Sequence, residues 1–358
     1  VDGEKNKKTE FKEAFLSLPE EEIFKYFELL RKTLSGSLGK NLLNLDFPLA
    51  SEQEGGTQAA LLALRDSKLK DDALIEEFYD RVINTYEYVG NYLILLIHDA
   101  YDVPGKTTDG LTMDDASDTV FEYIMCCICP VNLSKPGLSY DNINNEFHNR
   151  IRDWVVEMPE TGFLFPSFND RATDIHSTLF YSKNPEEAHS EFVENILGCT
   201  MPLSAGTQKE AFQALIEETL GDEVEYEVVK NIHENLTEMI EEHKEIPEPL
   251  TLDKNQVKSL FEKSGVKEEK LTDFDKLYDA AAGEDTSLFV NNVANVRTFE
   301  VKTPDVVVKV NPERADLVNT LQIDGKRCLV IEINDHVEVN GITIHQSVSL
   351  EDVADEEE

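Results

Sequence analysis

Ile23, Phe24, Phe27, Leu30 and Leu34 return every three or four positions, the period of one face of an α-helix. Ser17 and Glu20 at capping-box spacing, Pro19 in the first turn and the acids Glu20, Glu21 and Glu22 sign its start. Gly36 closes it. A polar loop is expected from Ala50 to Thr57, then a second helix with Leu74, Phe78 and Val82 on one face. The period then changes. Tyr92 to Ile97 and Phe121 to Val131 are continuous apolar runs, which predict strands covered on both faces. Gly162 to Phe165 begins a third strand that resumes near Ser177 to Tyr181, and Pro104-Gly105 and Pro136-Gly137 mark turns after the first two. Helical spacing returns at Pro185–Leu197, Gln208–Leu220 and Val224–His243.

Ile246 to Pro249 contains two prolines and reads as a linker. Two short helices are expected beyond it, at Asp253–Lys263 and Glu268–Ala282. Val306–Val310, Leu317–Ile323, Cys328–Ile333 and Val337–Ile344 alternate or run apolar as strands do. Asp324-Gly325 and Asn340-Gly341 join them with residues that tolerate the positive φ of a primed hairpin turn. The pattern predicts an α+β fold with a mixed or antiparallel central sheet flanked by helices, a helical connector and a small C-terminal β unit. The expected division is a core domain over 1–245, the connector and β unit over 246–350, and a disordered acidic tail over 351–358.

Composition narrows the function. The chain has 358 residues, 41% hydrophobic and 29% charged, enough for a substantial core. Its 72 acidic and 33 basic residues give a net charge of −39, which repels nucleic acid and anionic lipid and argues against direct DNA or RNA binding. Five cysteines, three of them in one apolar run, fit reduced thiols better than a secreted disulfide framework. With no signal peptide pattern and no apolar run of membrane-spanning length, the expected location is the cytoplasm, without membrane association. The chain opens at Val1 without a methionine, so an upstream segment is expected.

Four features invite a chemical reading. Gly36 to Asn41 looks like a phosphate loop, but its glycines are too close and Asn41 stands where a hydroxyl would be needed, so an ordinary helix stop is expected. Cys126, Cys127 and Cys129 lack a second pair of ligands for structural zinc, and strand alternation is expected to turn Cys127 away from the other two. His233 and His243 lie ten positions apart among glutamates, which fits a solvated helix face. The remaining set sits at expected strand ends. His98, Asp99 and Asp102 follow one strand; Asn169, Asp170, Arg171, Asp174 and His176 follow another. If the two strands are neighbours, imidazoles and carboxylates would converge on one rim, able to hold a divalent metal or to act as general acid and base.

Several stretches carry a resemblance: Val1 to Lys8, Leu95 to Gly105, Cys126 to Tyr140, Phe168 to Arg171 and Thr303 to Val308. They are similar to a family of domains of unknown function (family 4317) from anaerobic Gram-positive bacteria, over almost the whole chain. That family's members usually begin with a short cysteine-containing segment, which the resemblance implies upstream of Val1. No activity comes with it. The order of an amphipathic first helix, a strand at Tyr92 to Asp99, Phe192 to Cys199, Gln208 to Phe212 and Thr298 to Lys302 also resembles nucleoid-associated proteins of the 37-kilodalton type. No functional residue is implied by that second likeness.

The expected function is a non-enzymatic binding or regulatory protein of the cytoplasm, acting through a protein partner and linked in that way to the nucleoid, with no cofactor. The alternative is a metal-dependent hydrolase or nuclease using His98, Asp99, Asp170, Asp174 and His176, with His98, His176 and Asp174 as metal ligands. The first needs an exposed apolar or aromatic patch, the second a concave pocket where those side chains meet.

Overall fold

A computed structural model describes residues 1–12, 17–106, 112–113, 119–169, 171–221, 224–295, 298–333, 337–339 and 342–344. The Asn340-Gly341 turn and the acidic tail lie outside the described residues. The architecture is α+β, and every strand pair among the described residues is antiparallel. Contacts group the chain into two units, Val1–Gln208 and Lys209–Glu358. The division falls near 208 rather than at the proline-containing 246–249 segment, because Tyr226–Glu242 packs on helices that follow it.

In the first unit, α1 (Glu20–Thr33) leads to β1 (Leu42–Asp46), α2 (Thr57–Asp66), α3 (Asp72–Thr85) and β2 (Asn91–Val103). Two short strands, β3 (Gly105–Lys106) and β4 (Thr112–Met113), precede β5 (Thr119–Leu133). There follow β6 (Leu138–Asp141), β7 (Glu146–Asn149), β8 (Trp154–Val156), β9 (Thr161–Phe165), β10 (Ser167–Asn169), β11 (Ala172–Asp174) and β12 (Ser177–Ser182). The central sheet has the order β1-β12-β9-β5-β2, with β8 added to the end of β5. The sequence pattern did not separate β1 or α2, and the single interrupted strand expected over 162–181 is instead β9 and β12 paired antiparallel around the small β10–β11 hairpin.

Side chains alternate across this sheet, and both faces are covered. Ile124, Cys126, Ile128, Phe163, Phe165 and Phe180 pack under α2, α3, α4 (Ser190–Phe192) and the turn Val193–Leu197. Met125, Cys127, Cys129 and Leu164 pack under α1. That double burial explains the unbroken apolar runs of β5 and β9. Residues two apart on a strand share a face, so Cys127 and Cys129 lie together with their Sγ atoms 3.9 Å apart, and Cys126 is the one on the other side. This corrects the expected grouping. Gly162 leaves no room for a side chain under α1: a Cβ there would stand 2.5 Å from the Cys126 carbonyl oxygen and 2.6 Å from Thr33 Cγ2.

The first helix also turns differently from its periodicity. Pro19, not Ser17, is its N-cap, and the buried residues are Leu29, Leu30 and Thr33, while Phe24 and Phe27 stay about half exposed. Leu29, Leu30 and Thr33 are covered, whereas Phe24 and Phe27 border an open groove whose other wall is Ile97, Asp99, Tyr123 and Met125 of β2 and β5.

In the second unit, α5 (Ala205–Leu220, counted from its residue 209), α6 (Tyr226–Glu242), β13 (Thr251–Leu252), α7 (Lys254–Lys263), α8 (Phe274–Ala282), β14 (Leu288–Phe289) and α9 (Val290–Val293) surround a core in which Phe212, Phe261, Phe274 and Tyr278 touch ring to ring. Asp253 caps α7 in a complete capping box with Gln256. Three hairpins follow: β15–β16 (Phe299–Lys302 with Val307–Val310), β17–β18 (Val318–Ile323 with Lys326–Ile331) and β19–β20 (Val337–Val339 with Ile342–Ile344). Asp324 and Gly325 have φ of 51° and 75°, the two positive values of a type I′ turn.

Candidate functional site

The strand-end residues do not form one rim. Strand β2 continues through His98, Asp99 and Asp102 to Val103, so these residues are paired along β5 rather than placed in a loop. Between β2 and β9 lies β5, and β12 is a further strand away. Three strand spacings of about 4.8 Å put the His98 and His176 backbones roughly 14 Å apart. Each imidazole has its own carboxylate. His98 Nε2 lies 3.1 Å from Glu122 Oε1, which also accepts from Lys68 Nζ at 3.0 Å. The Lys68 ammonium holds the Glu122 carboxyl below its ordinary range, with His98 a smaller contributor. His176 Nδ1 lies 2.6 Å from Glu52 Oε1, which raises the imidazole above its ordinary value.

Asp99 turns to the α1 side, accepting from its neighbour Ala100 N–H at 2.8 Å and from Tyr123 Oη at 3.3 Å. Asp102 is exposed. Asp174 closes a local turn. Asn169 Nδ2 and Ser177 Oγ donate to its Oδ2 at 2.9 and 2.7 Å, and the His176 N–H donates to Oδ1 at 3.0 Å. Burial pushes the Asp174 carboxyl up, but these three donors outweigh it and leave the group below its usual value. Arg171, with φ of 61°, donates from Nη2 to the Pro104 carbonyl at 2.7 Å. Asp170 lies outside the described residues. Among the described residues no three His, Cys, Asp or Glu side chains are arranged to hold a metal ion. Adjacency of the two strands, on which the shared site depended, is replaced by an intervening strand that single-chain periodicity does not reveal.

What the structure brings out instead is an apolar arm. The last three residues of β5 leave the core and pair with β8, and between them β6 and β7 form a hairpin. From Val131 to Met158 no residue is buried. Yet the arm carries Leu138, Tyr140, Ile143, Phe147, Ile151 and Trp154, each more than half exposed, and Trp154 is the chain's single tryptophan. The arm is held by its own polar contacts. Asp141 accepts from the Ile143 N–H at 2.8 Å and from Asn144 Nδ2 at 2.7 Å at the tip, and Arg152 Nε donates to the Ser134 carbonyl at 2.6 Å at the base. Tyr140 and Phe147 pack ring against ring at 5.2 Å. Two strands without a core beneath them are marginally stable alone, and contiguous exposed apolar surface of this kind marks interaction sites. The alternation in Leu138–Asp141 and the lone tryptophan were the available sequence signals.

The same family of domains accounts for the chain from one end almost to the other. The model of a domain of unknown function, DUF4317, matches residues 1–342. The chain belongs to this family. No curated protein matches it. Both arm and central sheet therefore fall inside the DUF4317 domain, as do the β15–β16 and β17–β18 hairpins of the second unit. No helix among the described residues is long and apolar enough to cross a membrane.

Proposed function

We propose that this chain is a non-enzymatic cytoplasmic binding protein that works through protein contacts made by the 131–158 arm. The observation that supports it is the concentration of exposed aliphatic and aromatic side chains on an ordered hairpin that has no core of its own. Burying a side chain such as Phe147 or Ile143 contributes on the order of 1.5–3 kcal/mol. Several together offset an association cost of about 4–15 kcal/mol. Tryptophan and tyrosine near the centre of a patch are the usual energetic anchors of protein interfaces. The partner this surface fits is a protein presenting an apolar groove. A nucleoid-bound protein is a partner through which a chain of net charge −39 would reach the nucleoid without touching DNA.

The test is photo-crosslinking in living cells, with a benzophenone side chain placed at Phe147 and, as control, at the exposed Glu262 of the second unit. Protein adducts at Phe147, a second copy of the chain included, that are absent at Glu262 and lost in the Ile143→Ser, Trp154→Ser background are the expected result. Adducts only to lipid or nucleic acid, or equal yields at both positions, would sink the proposal. Cofractionation of the captured protein with the nucleoid decides the nucleoid link separately.

A further inference from the structure

The second unit contains a cavity of about 510 Å³, walled by α5, α6 and β15. Its walls follow from helical spacing. Tyr226, Val229, Lys230, His233 and Thr237 form one stripe of α6, and Lys209, Phe212 and Ile216 the facing stripe of α5. Phe299 closes the third side, with its ring centroid 6.2 Å from that of His233 and 6.4 Å from that of Tyr226. His233 is therefore in a cavity wall rather than on the solvated face its glutamate neighbours suggested. Its ring makes no hydrogen bond among the described residues, although the Thr237 hydroxyl holds its backbone carbonyl at 2.9 Å.

Charge at this cavity runs against that of the chain. Lys209, Lys230 and Lys302 line it, against Glu234 and Glu300. Glu300 is already paired with Lys309 at 2.8 Å. Lys230, only 7% exposed, donates to Asn319 Oδ1 at 3.0 Å and lies 3.9 Å from Glu234. Lys209 and Lys302 hold no ion pair among the described residues. Two ammonium groups outside any ion pair among the described residues, both within electrostatic reach of Glu300, and an imidazole with free nitrogens thus border an apolar and aromatic space, in a protein with 72 acids and 33 bases. Small-molecule sites combine this kind of apolar lining with a few convergent polar groups, in volumes of about 300–1,000 Å³.

We infer that the cavity between α5, α6 and β15 binds a small organic anion, a carboxylate or phosphate monoester carried on a flat apolar body. The acidic head lies toward Lys209 and Lys302 and accepts from the His233 ring, while the body packs on Phe212, Tyr226 and Phe299. Burial, with the positive field of Lys209 added, pushes the free His233 imidazole below its ordinary value. The negative charge of a bound anion favours the protonated ring and so opposes this shift, and the ring reports occupancy.

The experiment follows the His233 ring by NMR in the full chain, its signal assigned from the His233→Gln variant. The probes are benzoate and phenyl phosphate, with benzyl alcohol as the uncharged control and inorganic phosphate as the bodiless one. Saturable shifts with at least one aromatic anion are expected, at about tenfold or more higher affinity than either control. The Lys209→Gln, Lys302→Gln double variant, changed only at exposed positions, should weaken that binding by about tenfold or more. The inference fails if neither aromatic anion binds, if benzyl alcohol binds as well, if inorganic phosphate alone matches phenyl phosphate, or if the lysine variant binds unchanged.

Discussion

His176 and His233 share a reference acidity and are pushed in opposite directions by what surrounds them. Glu52 raises His176, an exposed side chain, so the small stabilisation from that pair is present below about 6.5 and lost as pH rises through the raised value. For His233 the sign is reversed. Burial lowers it, so between the lowered value and 6.5 the unfolded chain binds the extra proton, and stability of the second unit rises with pH across that window. Titration by NMR should place the His233 midpoint below that of His176. Urea unfolding at about pH 5 and about pH 7 should show a larger acid-side loss in the parent chain than in His233→Gln. Equal losses would mean that the ring is solvated. His233 was legible as a residue type but not as a cavity residue, because Phe299 lies 66 positions away and only the fold brings it there.

Among the elements, the local ones were readable and the paired ones were not. The β17–β18 turn was evident from Asp324-Gly325 alone, since the dipeptide by itself favours two positive φ angles. Space around Gly325 is open, so substitution there is limited by backbone conformation and not by packing. Gly325→Val should cost about 1–3 kcal/mol in urea unfolding, because a β-branched residue strongly disfavours φ near +75°. Gly325→Asn should cost visibly less, as asparagine tolerates the left-handed region. A valine variant as stable as the parent would mean that the turn relaxes to another type. By contrast, periodicity alone does not say how deeply each residue of the α1 stripe is covered. Of Ile23, Phe24, Phe27, Leu30 and Leu34, Leu30 is buried, together with Leu29 and Thr33, while Phe24, Phe27 and Leu34 stay exposed. Helical period says that a face exists; the fit against the sheet says which of its residues are covered.

For the molecule as a whole, a charge of −39 opposes approach to any polyanion. Gel-shift experiments with duplex DNA at physiological salt should show no complex at micromolar protein. A tight complex that weakens steeply with added salt would reveal a basic surface assembled from distant residues. The three lysines at the second unit's cavity do not alter that expectation, since a cavity of about 510 Å³ admits a small anion and not a duplex. At this scale the 131–158 arm is the main departure from ordinary monomer surface. It places apolar side chains in solvent where a chain so charged elsewhere has polar ones.

Local residue pattern is enough for the α+β class, most of the helices beyond Gln208, the strand character of β5 and the primed turn at Asp324-Gly325. These depend on interactions within a few residues, or on burial so complete that it leaves its mark on composition. Tertiary structure decided the strand order, with β5 between β2 and β9, and so separated His98 from His176. It decided which residues of α1 are covered, left the 131–158 arm without cover, and set His233 against Phe299. Pairing and packing of this kind join residues tens of positions apart, and the period of a single segment carries no information about its partner.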